Sequence, residues 1–580
     1  MGRVCQMSVG PVVLTMALAN CSSDKPVVGG GAGAPPSGGS GAAGTPGTPL
    51  AGSGNATAGS GATAGAPSAS AGGGGAPGAA GSSNGGSSTA GSSTGMAGSS
   101  AAGSSTAGSS TAGAGGTVGG AGASGAPAVN GTTVMLDAAH QHQTIQGFGI
   151  NTALMPGGKT FPVDKLFGTT GDDAIGLSIL RVGMDSTGAL TGPYLAEAKA
   201  KGAKIIGSTW SPPKECKSNN NTQQGGYLLE KCYESWSTTI ANFAKAQGLY
   251  AMSVGNETDF ASCAAKGPPC TDDYDSTTFT GKQMVAWIKV VGPKIKAQGI
   301  KVIAPEASEW IHAWSNASAT GSLVSGHPQS SDPLNCGCFS NTPTTTGCAQ
   351  TCLDGNGYDY GHWLWKDADA WKAFDIFGVH EYDSQIAYAW PADVSGGKRD
   401  KEVWQTEMSG VRYWPEQGPS TDINNGVVVA GWIHSALTVG EASAWLWWWY
   451  ESYYQNDNEG LAIVQGSPNT IAKRYYTLGN YSKFVRPNYI AVDVLGNTNP
   501  DVLVSGYKGP DGTVVVVAIN KGAAAVTMPI AISGGTAPAS VTPNVTSAME
   551  SLKAGTAVAV TGGSFMAALP SKSVTTFVGK

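Results

Sequence analysis

The sequence predicts an α/β chain: a (β/α)8 TIM barrel with an attached all-β side sandwich. Three observations lead there. Eight short apolar runs recur between Thr144 and Trp448, bounded by turn signals and separated by amphipathic segments such as Tyr233 to Gln247 and Gly281 to Gln298. Strands that are apolar on both faces and joined by helices suit a fully covered parallel sheet, and eight of them favour closure into a barrel. After Tyr481 the pattern changes to strands with turns between them and no long helix, at Asp501 to Tyr507, Thr513 to Ile519 and Ser573 to Val578. Two of the barrel runs end in a carboxylate, Val254-Gly255-Asn256-Glu257 and Gln405-Thr406-Glu407. Active-site residues of such barrels lie at the C-terminal ends of the strands.

The chain has 580 residues, of which 86 are glycine. Glycine is denser before the foldable part, which begins near Val129, than within it. An apolar run from Pro11 to Ala19 follows Arg3, too short to span a bilayer and of the length of a signal h-region. It ends in Leu18-Ala19-Asn20-Cys21, which resembles a bacterial lipobox apart from Asn20. We therefore expect a leader over 1–21, export from a bacterium, and lipidation at Cys21 as a membrane tether, with ordinary signal cleavage as the alternative. Residues 22–127 are mostly Gly, Ser, Ala and Thr in quasi-repeats without an aromatic residue, a composition that cannot bury a core. As a flexible coil of about 100 residues this linker reaches roughly 50 to 60 Å.

The barrel is expected over 128–480. Its strand-like runs are Thr144 to Gly149, Leu177 to Val182, Ala203 to Ser208, Tyr250 to Val254, Lys301 to Ala304, Phe374 to Val379, Glu402 to Gln405 and Ala444 to Trp448. The sandwich is expected over 481–580, with the early strand Val134 to Leu136 joining it. Of ten cysteines, eight lie beyond Cys5 and Cys21, which fits an oxidising compartment. Cys216 with Cys232 and Cys263 with Cys270 are the expected local pairs. Cys336, Cys338, Cys348 and Cys352 can pair among themselves in three ways or form a thiolate zinc site.

Net charge is −6 with no basic block, so a nucleic-acid backbone finds nothing extended to grip. The 16 Trp and 18 Tyr suit stacking on neutral sugar rings, although many must be core. Two glutamates at strand ends on one barrel face, about 150 residues or three βα units apart, suggest glycoside hydrolysis.

The motifs together resemble glycoside hydrolase family 30, and within it the bacterial xylanase branch, from about Val134 to the C-terminus. The matching stretches in chain order are Gln146-Gly147-Phe148-Gly149, Leu180-Arg181-Val182, Trp210-Ser211-Pro212-Pro213, Asn256-Glu257 and Ala304-Pro305-Glu306. Gly378-Val379-His380 with Tyr382, Thr406-Glu407 and Trp447-Trp448 continue the series. Tyr481 to Pro487, Val514 to Lys521 and Lys572 to Phe577 extend it past the barrel. The resemblance implies a retaining mechanism with Glu257 as general acid/base and Glu407 as nucleophile, the two carboxyl groups about 5 to 5.5 Å apart. It implies that Asn256 bonds the hydroxyl beside the anomeric carbon, that Arg181 sits beneath the nucleophile and that Tyr382 donates to it. Trp210, Trp447 and His380 complete the expected substrate-binding set. Alternation along a strand places at least one of Trp447 to Trp449 in the core. Trp310, Trp314, Tyr413 and Trp414 are weaker subsite candidates, and Glu306 and Glu381 are rival carboxylates. The mechanism requires no metal and no organic cofactor.

Glucuronoxylan-specific members of the branch carry a basic pair after the eighth strand, where this chain has Glu451-Ser452. The expectation is a monomeric endo-β-1,4-xylanase acting on polysaccharide without strict need for glucuronate branches, Glu451 repelling a uronate. The alternatives are a β-1,6-glucanase or galactanase of the same family, or a surface protein that binds polysaccharide without cleaving it.

Overall fold

The computed structural model describes residues 133–580 apart from 156, 224, 261–273, 315–358, 383–386, 411–419, 452–457 and 464–469. The expected leader, Cys21, the linker, Cys263, Cys270, the cluster from Cys336 to Cys352, and Tyr413, Trp414 and Ser452 lie outside the described residues.

The first strand, β1 (Val134–Thr144), belongs to the side domain, and eight barrel strands follow. They are β2 (Gly147–Asn151), β3 (Ile179–Met184), β4 (Lys204–Thr209), β5 (Ala251–Ser253), β6 (Lys301–Ala307), β7 (Ile376–His380), β8 (Glu402–Glu407) and β9 (Ala444–Trp447). Each pairs in parallel with the next, and β9 pairs with β2 to close the ring. The expected strands sit one to three residues out of place at several ends. The early strand runs on to Thr144, so the first barrel strand begins at Gly147 rather than Thr144.

Burial explains why the barrel runs read as continuous rather than alternating. Every residue of β2, β3, β5, β7 and β9 is buried, because helices cover one face and the barrel interior fills the other. Ile179, Ile206, Ala251, Ile303, Ile376, Trp404, Ala444 and Leu446 form a separate interior core, one or two side chains from each contributing strand. Interior packing of this kind makes the barrel a solid support for groups at its rim. Among the outer helices, α1 (Tyr233–Ala246) packs beside α2 (Gly281–Lys296). A capping box starts α2: the Thr280 hydroxyl accepts from Gln283 N at 3.2 Å and the Gln283 side chain accepts from Thr280 N at 2.9 Å. A disulfide joins Cys216 to Cys232 in the loop between β4 and α1.

The side domain is a sheet structure in which β1 lies between two C-terminal strands. It is antiparallel to Ile490–Leu495 and parallel to Val526–Ser533. Val526–Ser533 alternates strictly between buried and half-buried residues, whereas Val514–Asn520 is buried throughout as a central strand covered on both faces. The helix Lys473–Ser482 crosses the boundary expected between 480 and 481 and ties the two parts together. Asn480 Nδ2 donates to Asn544 O at 2.9 Å, and the Thr576 hydroxyl donates to Asn480 O at 2.7 Å. Among the described residues, no helix is long and apolar enough to cross a membrane.

Candidate active site

The C-terminal rim of the barrel gathers five ionisable side chains from five strands or their ends. Arg181 comes from β3, Glu257 follows β5, Glu306 lies in β6, His380 ends β7 and Glu407 ends β8. Arg181 is fully buried and donates from Nη1 to Glu407 Oε2 at 2.6 Å and from Nη2 to Asn256 Oδ1 at 2.5 Å. It also lies 3.4 Å from Glu306 Oε1. His380 Nδ1 is 3.3 Å from Glu257 Oε1 and 3.8 Å from Glu407 Oε1, and its Nε2 is 3.8 Å from Glu306 Oε1. The Tyr382 hydroxyl donates to the other Glu407 oxygen, Oε1, at 3.1 Å.

Charge follows from these contacts. Burial opposes a cation at His380, but the charge of Glu407, the hydrogen bond to Glu257 and the nearby Glu306 carboxylate prevail and carry its pKa up to about 9. Burial likewise opposes an anion at Glu306, yet Arg181 and His380 hold its carboxyl down at about 2. At Glu407 burial wins and pushes the carboxyl upward, against the pull of His380 and Arg181. Two cations thus stand among the three carboxyl groups.

Glu257, His380 and Glu407 each offer an atom within 4.8 Å of the others. For Glu257 and Glu407 this is the close spacing of an acid/base and a nucleophile in a retaining glycosidase, and too short for a water molecule to attack between them. The same trio has the donor types of a divalent-cation site. Arg181 and His380 already bring two positive charges to these carboxyl groups.

Several expected residues take different places. Trp447, expected as a sugar-stacking wall, is fully buried in the main core and donates from Nε1 to Glu459 O at 2.8 Å; no face of its indole is open to substrate. Trp210, Trp448 and Trp449 form their own small cluster, with Trp448 and Trp449 stacked at 4.9 Å and Trp210 lying 5.0 Å from the Arg181 guanidinium. Arg181 and His380 are buried against carboxylates, so they hold the carboxyl groups instead of touching substrate themselves. Trp310 and Trp314 pack edge to face at 5.7 Å within the core, which removes them as subsites. Glu381 is buried and accepts from Trp445 Nε1 at 3.1 Å.

Glu306 matters more than its reading as a rival catalytic group allowed. It is the buried counter-charge of Arg181 and His380, and it also accepts from Ser208 Oγ at 3.0 Å. The signal was present: a carboxylate inside an apolar strand run needs a buried cation. Glu451 also differs from expectation. Its carboxylate is buried, accepts from Thr160 N at 2.8 Å and lies 3.4 Å from Lys159 Nζ. Its negative charge is matched by Lys159 and its carboxylate is buried, so it does not stand exposed to repel a uronate.

The comparisons with known proteins agree on one family. The model of the glycosyl hydrolase family 30 β-sandwich domain matches residues 489–577. The glucuronoxylanase XynC of Bacillus subtilis strain 168 is 28% identical over 464 residues, spanning 77% of this chain and 91% of that protein. A family 30 endoxylanase from Clostridium papyrosolvens aligns at 26% identity with a TM-score of 0.56, covering 77% of this chain and all of that one. A family 30 subfamily 8 xylanase from Clostridium acetobutylicum aligns at 26% identity with a TM-score of 0.59, covering 77% of this chain and 99% of that one. Side domain and barrel alike lead to the same conclusion: along most of its foldable length the chain is similar to proteins of glycoside hydrolase family 30, and it is a retaining glycoside hydrolase.

Proposed function

We propose that this chain is an exported endo-β-1,4-xylanase that hydrolyses plant xylan with no strict need for glucuronic acid branches. The observation that carries the catalytic assignment is the approach of the Glu257 and Glu407 carboxyl groups to within 4.8 Å at the barrel rim. In the first step Glu407 attacks the anomeric carbon while Glu257 protonates the departing glycosidic oxygen, giving a covalent glycosyl-enzyme. In the second, Glu257 takes a proton from water, which attacks the same carbon and releases Glu407. Arg181 and the Tyr382 hydroxyl each bond one oxygen of Glu407, which orients it and favours its ionised form. The Arg181 bond to Asn256 Oδ1 turns the amide so that its Nδ2 hydrogens are the ones offered to the sugar hydroxyl next to the anomeric carbon.

Relatives named as xylanases support xylan as substrate, and Glu451 in place of a basic residue supports independence from glucuronate. The expected leader and Cys21 support export and a lipid tether, and the 22–127 stretch a spacer from the membrane. We further propose that the chain acts as a monomer.

The test is reducing-sugar release with product sizing on debranched xylan, glucuronoxylan and β-1,6-glucan, alongside Glu257→Gln and Glu407→Gln. Comparable cleavage of both xylans, abolished by either substitution, is expected. Cleavage of glucuronoxylan alone would overturn the branch independence, and cleavage of β-1,6-glucan alone the xylan assignment. No cleavage of any of them would leave a polysaccharide-binding protein as the better reading.

A further inference from the structure

Behind Glu257 lies a buried polar cluster that the catalytic steps do not use. Asp259 is fully buried, and both its oxygens are taken: Oδ1 accepts from Ser308 N at 2.7 Å, and Oδ2 accepts from Ser308 Oγ at 3.0 Å and stands 2.6 Å from His312 Nδ1. His312 is also fully buried, and Ser308 nearly so. The Ser308 hydroxyl is turned to Asp259 and not to the imidazole, so the three do not make an activated nucleophile.

What the cluster does is set by its place in the chain. Glu257 has φ +44°, a left-handed conformation that a glutamate keeps only when its surroundings impose it. Its turn is closed by Phe260 N donating to Glu257 O at 2.9 Å. Glu306, on the neighbouring strand β6, has φ +63° and is likewise left-handed. Two ties join these turns. The Thr258 hydroxyl donates to Pro305 O at 3.1 Å, and Asp259 receives Ser308. His312, from the segment after β6, holds Asp259 from the other side. A buried carboxylate is costly to desolvate, and one with both oxygens engaged makes a stiff bracket.

We propose that Asp259, clamped by Ser308 and His312, is a positioning residue that fixes the Glu257 carboxyl against the departing glycosidic oxygen. The proposal rests on the reading of Glu257 as acid/base. Displacing that carboxyl by about 1 Å costs on the order of 100-fold in rate where proton donation is needed. Where the leaving group departs without a proton, the bracket is silent in the bond-breaking step.

The experiment measures kcat/KM for a series of aryl β-xylobiosides running from phenol to dinitrophenol leaving groups, with wild type, Glu257→Ala, Asp259→Asn, His312→Gln and Ser308→Ala. Folding is checked by thermal melting, and Ser308→Ala, which deletes one hydroxyl and keeps the backbone donor, serves if the other two melt. Expected is a loss of about 10- to 100-fold on the phenyl glycoside and less than about threefold on the dinitrophenyl glycoside, reproducing in weaker form the profile of Glu257→Ala. Equal losses across the series would show a purely structural cluster, and no loss would show an idle one; either overturns the proposal. If Glu257→Ala itself shows no dependence on the leaving group, the acid/base reading fails first and the proposal falls with it.

Discussion

Arg181 and Glu407 are bonded at 2.6 Å at the floor of the rim, with the guanidinium fully buried. The contact does two things at once. It orients the carboxylate proposed as nucleophile, and through its second nitrogen it fixes Asn256, the neighbour of Glu257. Removing the guanidinium leaves Glu306 and Glu407 with His380 as their remaining cation in this group.

Arg181→Met is therefore expected to lower stability by about 3 to 5 kcal/mol, the usual result of stranding buried charge. It should also raise the pKa of Glu407 further, so the acid limb of kcat/KM moves to higher pH. Urea denaturation and a pH–rate profile on xylan check both effects. Arg181→Lys keeps the charge but loses the fork geometry, and should fall between the two.

His380 carries the clearest pH signature. Its folded pKa of about 9 lies above the ordinary 6.5, so its contribution to stability is fully present below about pH 6.5 and is lost as pH rises through 9. Glu306, held at about 2 against an ordinary 4.5, contributes above pH 4.5 and loses its contribution as pH falls through 2. The raised Glu407 acts in the opposite sense on the acid side. Melting temperature should thus decline between pH 7 and about 9 in the wild type, and His380→Asn should lack that alkaline slope. In the same variant the acid limb of activity should move up by about one pH unit, because Glu407 has lost a neighbouring cation.

Trp447→Ala should behave as a core deletion. A loss of about 3 to 5 kcal/mol in denaturant unfolding is expected, with KM on xylan little changed for the protein that remains folded. A large rise in KM with unchanged stability would restore Trp447 to the substrate wall.

The sequence made the strand ends legible because a carboxylate closing an apolar run has few reasons to be there. Glu257 and Glu407 both stood out on that ground, and the structure brings them together. Trp447 was not legible, since period-two alternation shows that one Trp of a run is buried without showing which. Nor was Glu451, whose partner Lys159 lies 292 positions earlier, in the segment after the first barrel strand. Asp259 and His312 gave no signal because neither lies in a periodic pattern, and their meeting depends on the left-handed turn at Glu257. The length of β1 was underread because His140 to His142 is polar, and Ala139 to His142 is exposed where the register with the neighbouring strand shifts.

The measurement that bears most directly on the catalytic assignment is covalent trapping with a 2-fluoro-substituted aryl xylobioside, followed by peptide mapping. The geometry predicts stoichiometric inactivation with the sugar attached at Glu407, and no labelling of Glu407→Gln. A label on Glu306 or any other residue, or turnover with inverted product and no trapped intermediate, would contradict it.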